Sequence, residues 1–388
     1  MKKKLLFVIP AFKHGGTNKS LLNILSCIDK NKYEVSVFSM SHVGPYKSIL
    51  SQYDILKRYI LFAFFFDTYD KIDLKYDNII TILKKVIWKP IPRIMRIITG
   101  KKGLENLYKS SANKIKKMSF DTIIAMQEGY TTHFVSYINI HKIAWIRCDY
   151  SEYQKIINKD EEAVYGKYDH IICVSDYTKN VFLNYYPSLN SKCYGIHNMI
   201  DYRSIKLMST EKINDNRFTT DKFSIISVGR LSKVKQFDLI PKIAYELKND
   251  GYNFYWYIIG GGEEYKKILA LINMYGVEDK VILLGEKNNP YPYINQSSLV
   301  VVTSLSEACP NVLNEAKILH VPVVTTDFGS AKEFIENQNN GLIVNKEKIK
   351  DSIELMINQS EVYTGIKNNI NTFIYSNDII IEEINKLL

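Results

Sequence analysis

The chain has 388 residues, 46% of them hydrophobic and 24% charged, a length that suits two domains of about 190 residues or one large α/β unit. This composition excludes a disordered chain, a collagen and a small disulfide scaffold. The net charge of +10 is uneven, with 30 Lys and Arg against 17 Asp and Glu in residues 1–200, and 21 against 24 in residues 201–388.

A basic half joined to a near-neutral half suggests an anionic partner for the first half: nucleic acid, membrane headgroups or an anionic substrate. The five cysteines, Cys27, Cys148, Cys173, Cys193 and Cys309, form no C-x-x-C pair, and a reducing compartment is the expectation. The apolar stretch Leu5–Pro10 after the first lysines is too short for the core of a signal peptide. The longest apolar run, Tyr59–Phe66, has eight residues, against roughly 20 for a membrane span. A cytoplasmic protein, free or attached to a membrane face, is expected.

In the first half, β-branched and aromatic runs recur at Leu5–Pro10, Tyr33–Met40, Asp121–Met126, Lys142–Arg147 and His170–Ser175. A helical pattern over Ser20–Ile28 follows the first, with Leu21, Leu22, Leu25 and Ile28 on one face. Segment Asp54–Gly103 departs from this rhythm. Its last part, Lys84–Gly103, carries Lys84, Lys85, Lys89, Arg93, Arg96, Lys101 and Lys102 and no acid, interleaved with Trp88 and aliphatic residues. That is the composition of an interfacial membrane-binding helix, which Pro90 and Pro92 should break or kink. The plainer interpretation is a surface helix with a solvated basic face.

A polar stretch, Asp201–Lys222, marks the expected domain boundary. Beyond it, strand-like runs resume at Phe223–Val228, Phe254–Ile259, Val281–Leu284, Leu299–Thr303 and Val321–Thr325, with helical patterns at Phe237–Leu247 and Tyr265–Met274. Near-continuous apolar strands alternating with helices predict βαβ units and parallel sheets. The fold expected is α/β, with two Rossmann-like doubly wound domains facing across a cleft. Residues 1–200 form the first, 201–370 the second, and a helix within 371–388 crosses back to the first.

The strongest chemical signal is Ser304–Ala316. Glu307 falls in the loop after a strand, and Glu315 on the helix that follows Pro310. Backbone N–H groups near Asn311, Val312 and Leu313 then point out of a helix N-terminus and make an anion site. Flanking carboxylates suit the hydroxyls of a sugar nucleotide. The second signal is Gly229–Lys235, where Arg230 and Lys235 leave a strand end together, placed to neutralise a diphosphate. A lone pair of acids or a lone basic turn would be ordinary solvated surface; the two motifs together are chemically complementary.

With these motifs the chain resembles retaining glycosyltransferases of family 4, of GT-B architecture, over nearly its whole length. The resemblance rests on Gly229-Arg230 with Lys235, the turn Ile259–Gly262, Leu284-Gly285, Asn289-Pro290-Tyr291 and the Glu307/Glu315 pair. It continues through Pro322–Asp327, Glu333 and Asn340-Gly341-Leu342. In the first half it includes Gly15-Gly16, Val174-Ser175, and Asn198 with Asp201. The subgroup is similar to bacterial enzymes of capsule, O-antigen and exopolysaccharide assembly, through the Asn-Pro-Tyr turn and the Trp145–Asp149 segment.

The resemblance implies roles. Arg230 and Lys235 bind the donor diphosphate and stabilise the leaving nucleotide. Glu315 holds the ribose, Glu307 contacts the donor sugar, and Asn311–Leu313 complete the phosphate site. Gly285 and Glu286 meet the base, and Gly16 lets the first helix approach the phosphates. Arg147 stands where the family usually has His, and Ala308 where Gly is common. Arg147 keeps its proton, so a charge-assisted bond to a sugar hydroxyl or an acceptor phosphate is the role left to it. The implied substrates are a nucleotide sugar, UDP-sugar above others, and a lipid-linked or oligosaccharide acceptor, with no cofactor and no metal. The basic segment 84–103 implies an anionic membrane surface and a place on the inner face of the cell membrane. Neither a recognised nucleic-acid module, a D-x-D pair, a metal-ligand spacing nor a dinucleotide fingerprint occurs. The rivals are a non-catalytic subunit partnering an active transferase, suggested by Arg147, and a sugar-nucleotide epimerase on the same fold.

Overall fold

The structure is a computed structural model that describes residues 1–13, 15–58, 62, 66–67 and 90–388, with 90–102 as backbone alone. His14, most of the apolar run 59–66 and the basic stretch Lys84–Lys89 lie outside the described residues. The chain divides into two compact units, one of Met1–Ile200 with Asn377–Leu388 and one of Asp201–Ser376.

The first unit is built on a seven-stranded sheet. Its strands are β1 (Lys3–Ala11), β2 (Tyr33–Ser41), β3 (Asp54–Ile55), β4 (Thr122–Ala125), β5 (Lys142–Ile146), β6 (His170–Cys173) and β7 (Cys193–Gly195). They lie in the order β3-β2-β1-β4-β5-β6-β7, and every pairing is parallel. Helices cover both faces of such a sheet, so its strands need side chains that are apolar in succession. Leu5 to Ile9 show this directly, with all five buried.

Two helices of this unit bear on function. Helix α1 (Gly16–Cys27) follows β1 directly. Helix α2 (Pro90–Lys116) spans 27 residues. Pro90 and Pro92 do not break it, contrary to the expectation. Both stand at the start of its described span.

The last helix, Asp378–Leu387, packs on this first unit. Tyr33 donates its hydroxyl to Asn385 (2.9 Å), and Thr122 Oγ1 donates to the carbonyl of Leu388 (3.0 Å). Asn377 closes a two-way bond with the backbone of Ile200, Oδ1 accepting at 3.1 Å and Nδ2 donating at 2.9 Å. No described helix is long and apolar enough to cross a membrane.

The second unit repeats the plan. Its strands are β8 (Phe223–Val228), β9 (Phe254–Ile259), β10 (Val281–Gly285), β11 (Leu299–Val302), β12 (Val323–Thr326) and β13 (Leu342–Val344). They lie in the order β10-β9-β8-β11-β12-β13, all parallel. Each unit has its own apolar core, the second formed by residues such as Ile225, Trp256, Leu299 and Val324.

The two-Rossmann α/β fold expected from the strand rhythm is the fold observed. Beyond the ten expected strands it contains β3, β7 and β13, of two or three residues each at sheet edges. In each sheet the winding reverses beside its first strand, between β1 and β4 and between β8 and β11. At such a switch point the loops beyond the carboxyl ends of neighbouring strands part and leave room for a ligand.

Candidate active site

The loops leaving β8 and β11 carry the main motifs of the second unit, so its switch point gathers them. After β8 the chain turns through Gly229 and Arg230 into a short 3₁₀ turn, Lys233–Lys235. After β11 it runs through Ser304 and Glu307 into helix α4 (Asn311–Ile318). The two loops are stitched together. The amide of Leu305 donates to the carbonyl of Val234 (2.8 Å), and Thr303 Oγ1 donates to the carbonyl of Lys235 (2.7 Å). Across this seam the ammonium of Lys235 donates to Glu307 Oε1, which also accepts from Ser304 Oγ at 2.7 Å. The Lys235 and Glu307 side chains are 25% and 12% exposed, so the pair is shielded on most sides and still reachable.

Arg230 takes a different course. Its guanidinium reaches Glu263 at 3.1 Å, and both side chains are more than half exposed. Of the two cations expected to act together, the structure brings Lys235 to the glutamate and leaves Arg230 on the rim. Glu263, which sequence reasoning did not single out, is its partner.

Glu315 lies on α4 and is buried, 3% exposed. Pro310 precedes the helix rather than opening it, and its carbonyl accepts from the amide of Leu313 at 3.0 Å. Leu313 is therefore occupied within the turn, and its side chain is fully buried.

The carboxyl ends of β9 and β10 border the site. Gly260 is required here: a Cβ would lie 1.8 Å from the carbonyl oxygen of Gly229, and the φ is +151°. This approach lets the amide of Gly229 donate to Ile259 and that of Leu231 to Gly261, joining the ends of β8 and β9. Gly285 has φ +75°, with open space where a Cβ would stand. Glu286 rests against Gly261, its carboxylate oxygen 2.8 Å from the position of a Gly261 Cβ.

Beneath Gly285, Arg217 donates to the carbonyls of Leu283 (3.1 Å) and Leu284 (3.2 Å) and grips Asp215. Lys287 reaches the same carboxylate at 2.7 Å. Hydrogen bonds from Arg217, and then from Lys287, hold the Asp215 carboxyl far below the usual carboxylate range. This brace fixes the end of β10, and no sequence motif marks it: Asp215 and Arg217 stand in a polar stretch and Lys287 lies 70 positions beyond Arg217.

In the first unit, Gly16 opens α1 at the switch point between β1 and β4. A Cβ at Gly16 would meet no atom within 4 Å, so packing among the described residues does not demand this glycine. Asn18 holds the preceding turn by donating to the carbonyls of Ala11 (2.8 Å) and Lys13 (2.6 Å). Thr17 reaches across the switch point to Gln127 at 3.0 Å.

Arg147, at the end of β5, has its guanidinium engaged within the first unit. Nε donates to the carbonyl of Met126 (2.8 Å), and Nη1 donates to Ser20 Oγ (2.7 Å) and Asn198 Oδ1 (2.8 Å). The guanidinium also packs over the Trp145 ring at 4.6 Å. Arg147 thereby ties together α1, the end of β4 and the segment after β7. Asp149 caps the next helix, α3 (Tyr150–Ile157), by accepting from the amide of Ser151. Nε and Nη1 of Arg147 are thus held by the first unit itself. Among the described residues no group of three or more His, Cys, Asp or Glu side chains is gathered to hold a metal ion.

This geometry agrees with comparisons to known proteins. Residues 208–372 match the family described as Glycosyl transferases group 1. Over 185 residues, 47% of the chain, it is 34% identical to the N-acetylgalactosamine-N,N'-diacetylbacillosaminyl-diphospho-undecaprenol 4-alpha-N-acetylgalactosaminyltransferase of Campylobacter jejuni, covering 48% of that protein. Over 203 residues, 50% of the chain, it is 27% identical to the capsular polysaccharide biosynthesis glycosyltransferase CapM of Staphylococcus aureus, covering 53% of it. The chain thus spans about half the length of these curated relatives. Among solved structures, Anabaena HepE in complex with UDP and glucose aligns with a TM-score of 0.75 at 16% identity, over 99% of this chain and 98% of that one. The chain has a two-domain GT-B fold, its residues 208–372 are similar to the glycosyl transferases group 1 family, and one of its relatives is named for capsular polysaccharide biosynthesis.

Proposed function

We propose that this chain is a retaining glycosyltransferase that moves a sugar from a nucleotide sugar, a UDP-sugar, to a growing lipid-linked glycan of a bacterial surface. The observation that carries this reading is the Lys235–Glu307 pair at the switch point of the second sheet, with the start of α4 and buried Glu315 following in the same loop and helix. It combines what a nucleotide sugar presents, an anionic diphosphate beside hydroxyl groups.

In this reading Lys235 and the amides of Asn311 and Val312 receive the diphosphate. Arg230 approaches it from the rim. Glu315 takes the ribose hydroxyls, Glu307 the donor sugar, and the braced backbone at Gly285 and Glu286 the base. Gly16 leaves room at the first helix. The bond from the anomeric carbon to the phosphate oxygen breaks as the bond to the acceptor oxygen forms on the same face. The acceptor proton passes to the departing diphosphate. Negative charge grows on that leaving group, and Lys235 is the cation best placed to meet it, without a metal ion.

Two likenesses support the substrates: a structural neighbour is in complex with UDP, and a relative is named for a diphospho-undecaprenol substrate. The basic segment 84–103 supports attachment to the inner face of an anionic membrane, where such an acceptor resides. The test is a panel of nucleotide sugars scored by thermal shift and by nucleotide release. A UDP-sugar should raise the melting temperature and be turned over slowly in water. If no nucleotide stabilises the protein and none is released, the reading fails.

A further inference from the structure

The two glutamates of the site lie on separate pieces of chain, Glu307 in a loop and Glu315 on α4. Their separation has to be held by something other than the segment joining them, which carries Ala308, Cys309 and Pro310 through an irregular turn. A third piece touches both. Helix α5 (Ala331–Phe334), four residues and about 6 Å long, follows β12. Just before it, fully buried Ser330 donates its hydroxyl to the backbone carbonyl of Glu307 at 2.8 Å. At its other end the carbonyl of Phe334 accepts from Lys317 Nζ at 2.6 Å, and Lys317 is on α4.

Lys317 is unusual for a lysine. It is only 6% exposed, and its ammonium also lies 4.6 Å from the centre of the Phe373 ring. Two residues along a helix are about 200° apart around its axis, so Lys317 grips α4 from the side opposite Glu315. It can therefore hold the helix from the face away from Glu315. The carbonyl it caps is one that a helix end leaves without an intrahelical donor. Burial pushes the Lys317 ammonium down to about 8, which marks its placement as costly to stability.

We propose that α5 is a strut that sets the distance between Glu307 and Glu315, and that Lys317 and Ser330 are positioning residues for the nucleotide donor. The proposal rests on the reading of Glu307 and Glu315 as donor contacts. It goes beyond it by assigning donor affinity to two side chains that contact neither the diphosphate nor the sugar. A lysine kept in an apolar site for packing alone would be replaced by methionine without loss of binding. A lysine kept as a tie would not.

The test measures UDP affinity by calorimetry for the wild type, Glu315→Gln, Lys317→Met, Ser330→Ala and the double variant Glu315→Gln/Lys317→Met. Lys317→Met should weaken UDP by about tenfold, the scale of one charge-assisted hydrogen bond, while its melting temperature stays level or rises. Ser330→Ala should weaken it in the same direction. The double variant should bind no more weakly than Glu315→Gln alone, because the tie acts through Glu315. Wild-type affinity in both Lys317→Met and Ser330→Ala overturns the strut, as does a double variant in which the two losses add. If Lys317→Met does not fold, the Ser330→Ala arm decides. If Glu315→Gln binds UDP like the wild type, the donor site itself is misassigned and the strut falls with it. Weakening in Glu315→Gln without weakening in Lys317→Met removes the strut and leaves the site.

Discussion

Lys235 and Glu307 stand 72 positions apart in sequence, and their side chains close an ion pair beyond the carboxyl ends of the adjacent strands β8 and β11. The pairing follows from topology. The winding of the sheet reverses between these two strands, so their following loops part, and Lys235 and Glu307 meet over the gap. Ser304 adds a hydroxyl to the same carboxylate oxygen, and Ser330 fixes the carbonyl of Glu307 from behind. The result is a cation and an anion held side by side on a braced loop.

Glu307→Gln keeps the shape of the side chain and its bond to Ser304 while removing its charge. Lys235→Ala removes the cation and leaves a mostly buried carboxylate without that partner. Each should cut nucleotide release by about 100- to 1,000-fold, the usual cost of losing one aligned stabilising group. Lys235→Ala should also lower the melting temperature, because the unpaired carboxylate is poorly solvated. Turnover at the wild-type rate in both variants would remove this pair from the active site.

Arg147 is held as a clamp within the first unit. Its planar fork serves Met126, Ser20 and Asn198 together. An imidazole offers at most two donors and a lysine a single point of charge, so neither reproduces that pattern. Arg147→Ala, Arg147→His and Arg147→Lys should all destabilise the first unit, Arg147→Ala by about 3 kcal/mol. Any activity lost should follow the fraction of protein that is folded. Denaturant unfolding of the three variants checks this, and an Arg147→Ala protein as stable as the wild type but inactive would return Arg147 to the catalytic list.

Much of the fold was legible because the parallel strands are buried on both faces and read as apolar runs. Phe223–Val228 and Phe254–Ile259 coincide with their expected limits. The edge strands β3, β7 and β13 were not legible, since two or three residues such as Cys193–Gly195 carry no period. Glu307 and Lys235 could be found because each follows a recognisable strand by a short, fixed offset. Ser330, Lys317 and the Asp215–Arg217–Lys287 brace could not, because their roles depend on neighbours from other elements.

The buried ammonium of Lys317 gives the second unit a specific pH dependence. Its folded pKa, about 8, lies below the 10.5 of an exposed lysine. Below pH 8 both folded and unfolded chains carry the proton, and the full cost of burying the charge is present. Between pH 8 and 10.5 the folded chain releases the proton while the unfolded chain keeps it, so stability rises with pH across that window. The whole gain is on the order of 3 kcal/mol. Subtracting the pH profile of Lys317→Met from that of the wild type isolates it from all other titrations. A flat difference between pH 7 and 10.5 would show that Lys317 is not desolvated as its placement requires.

The charge excess of the first half remains to be assigned, and the donor site does not absorb it, since Arg230 and Lys235 belong to the second unit. Seven cations fall within Lys84–Gly103. Lys84–Lys89 lie outside the described residues, and residues 90–103 belong to α2. A cationic, Trp-containing stretch is suited to anionic headgroups, each Lys or Arg contributing about 1 kcal/mol near such a surface. Replacing Lys84, Lys85, Arg93 and Arg96 with serine should therefore weaken binding to phosphatidylglycerol-containing vesicles by about 1,000-fold at low salt. The wild-type protein should itself detach as salt rises, because the attraction is screened over about 10 Å at 0.1 M. Neutral phosphatidylcholine vesicles should bind neither protein. Cosedimentation measures all three arms, and a wild-type protein that ignores anionic vesicles, or a variant that binds them equally well, would assign the basic half to something other than a membrane.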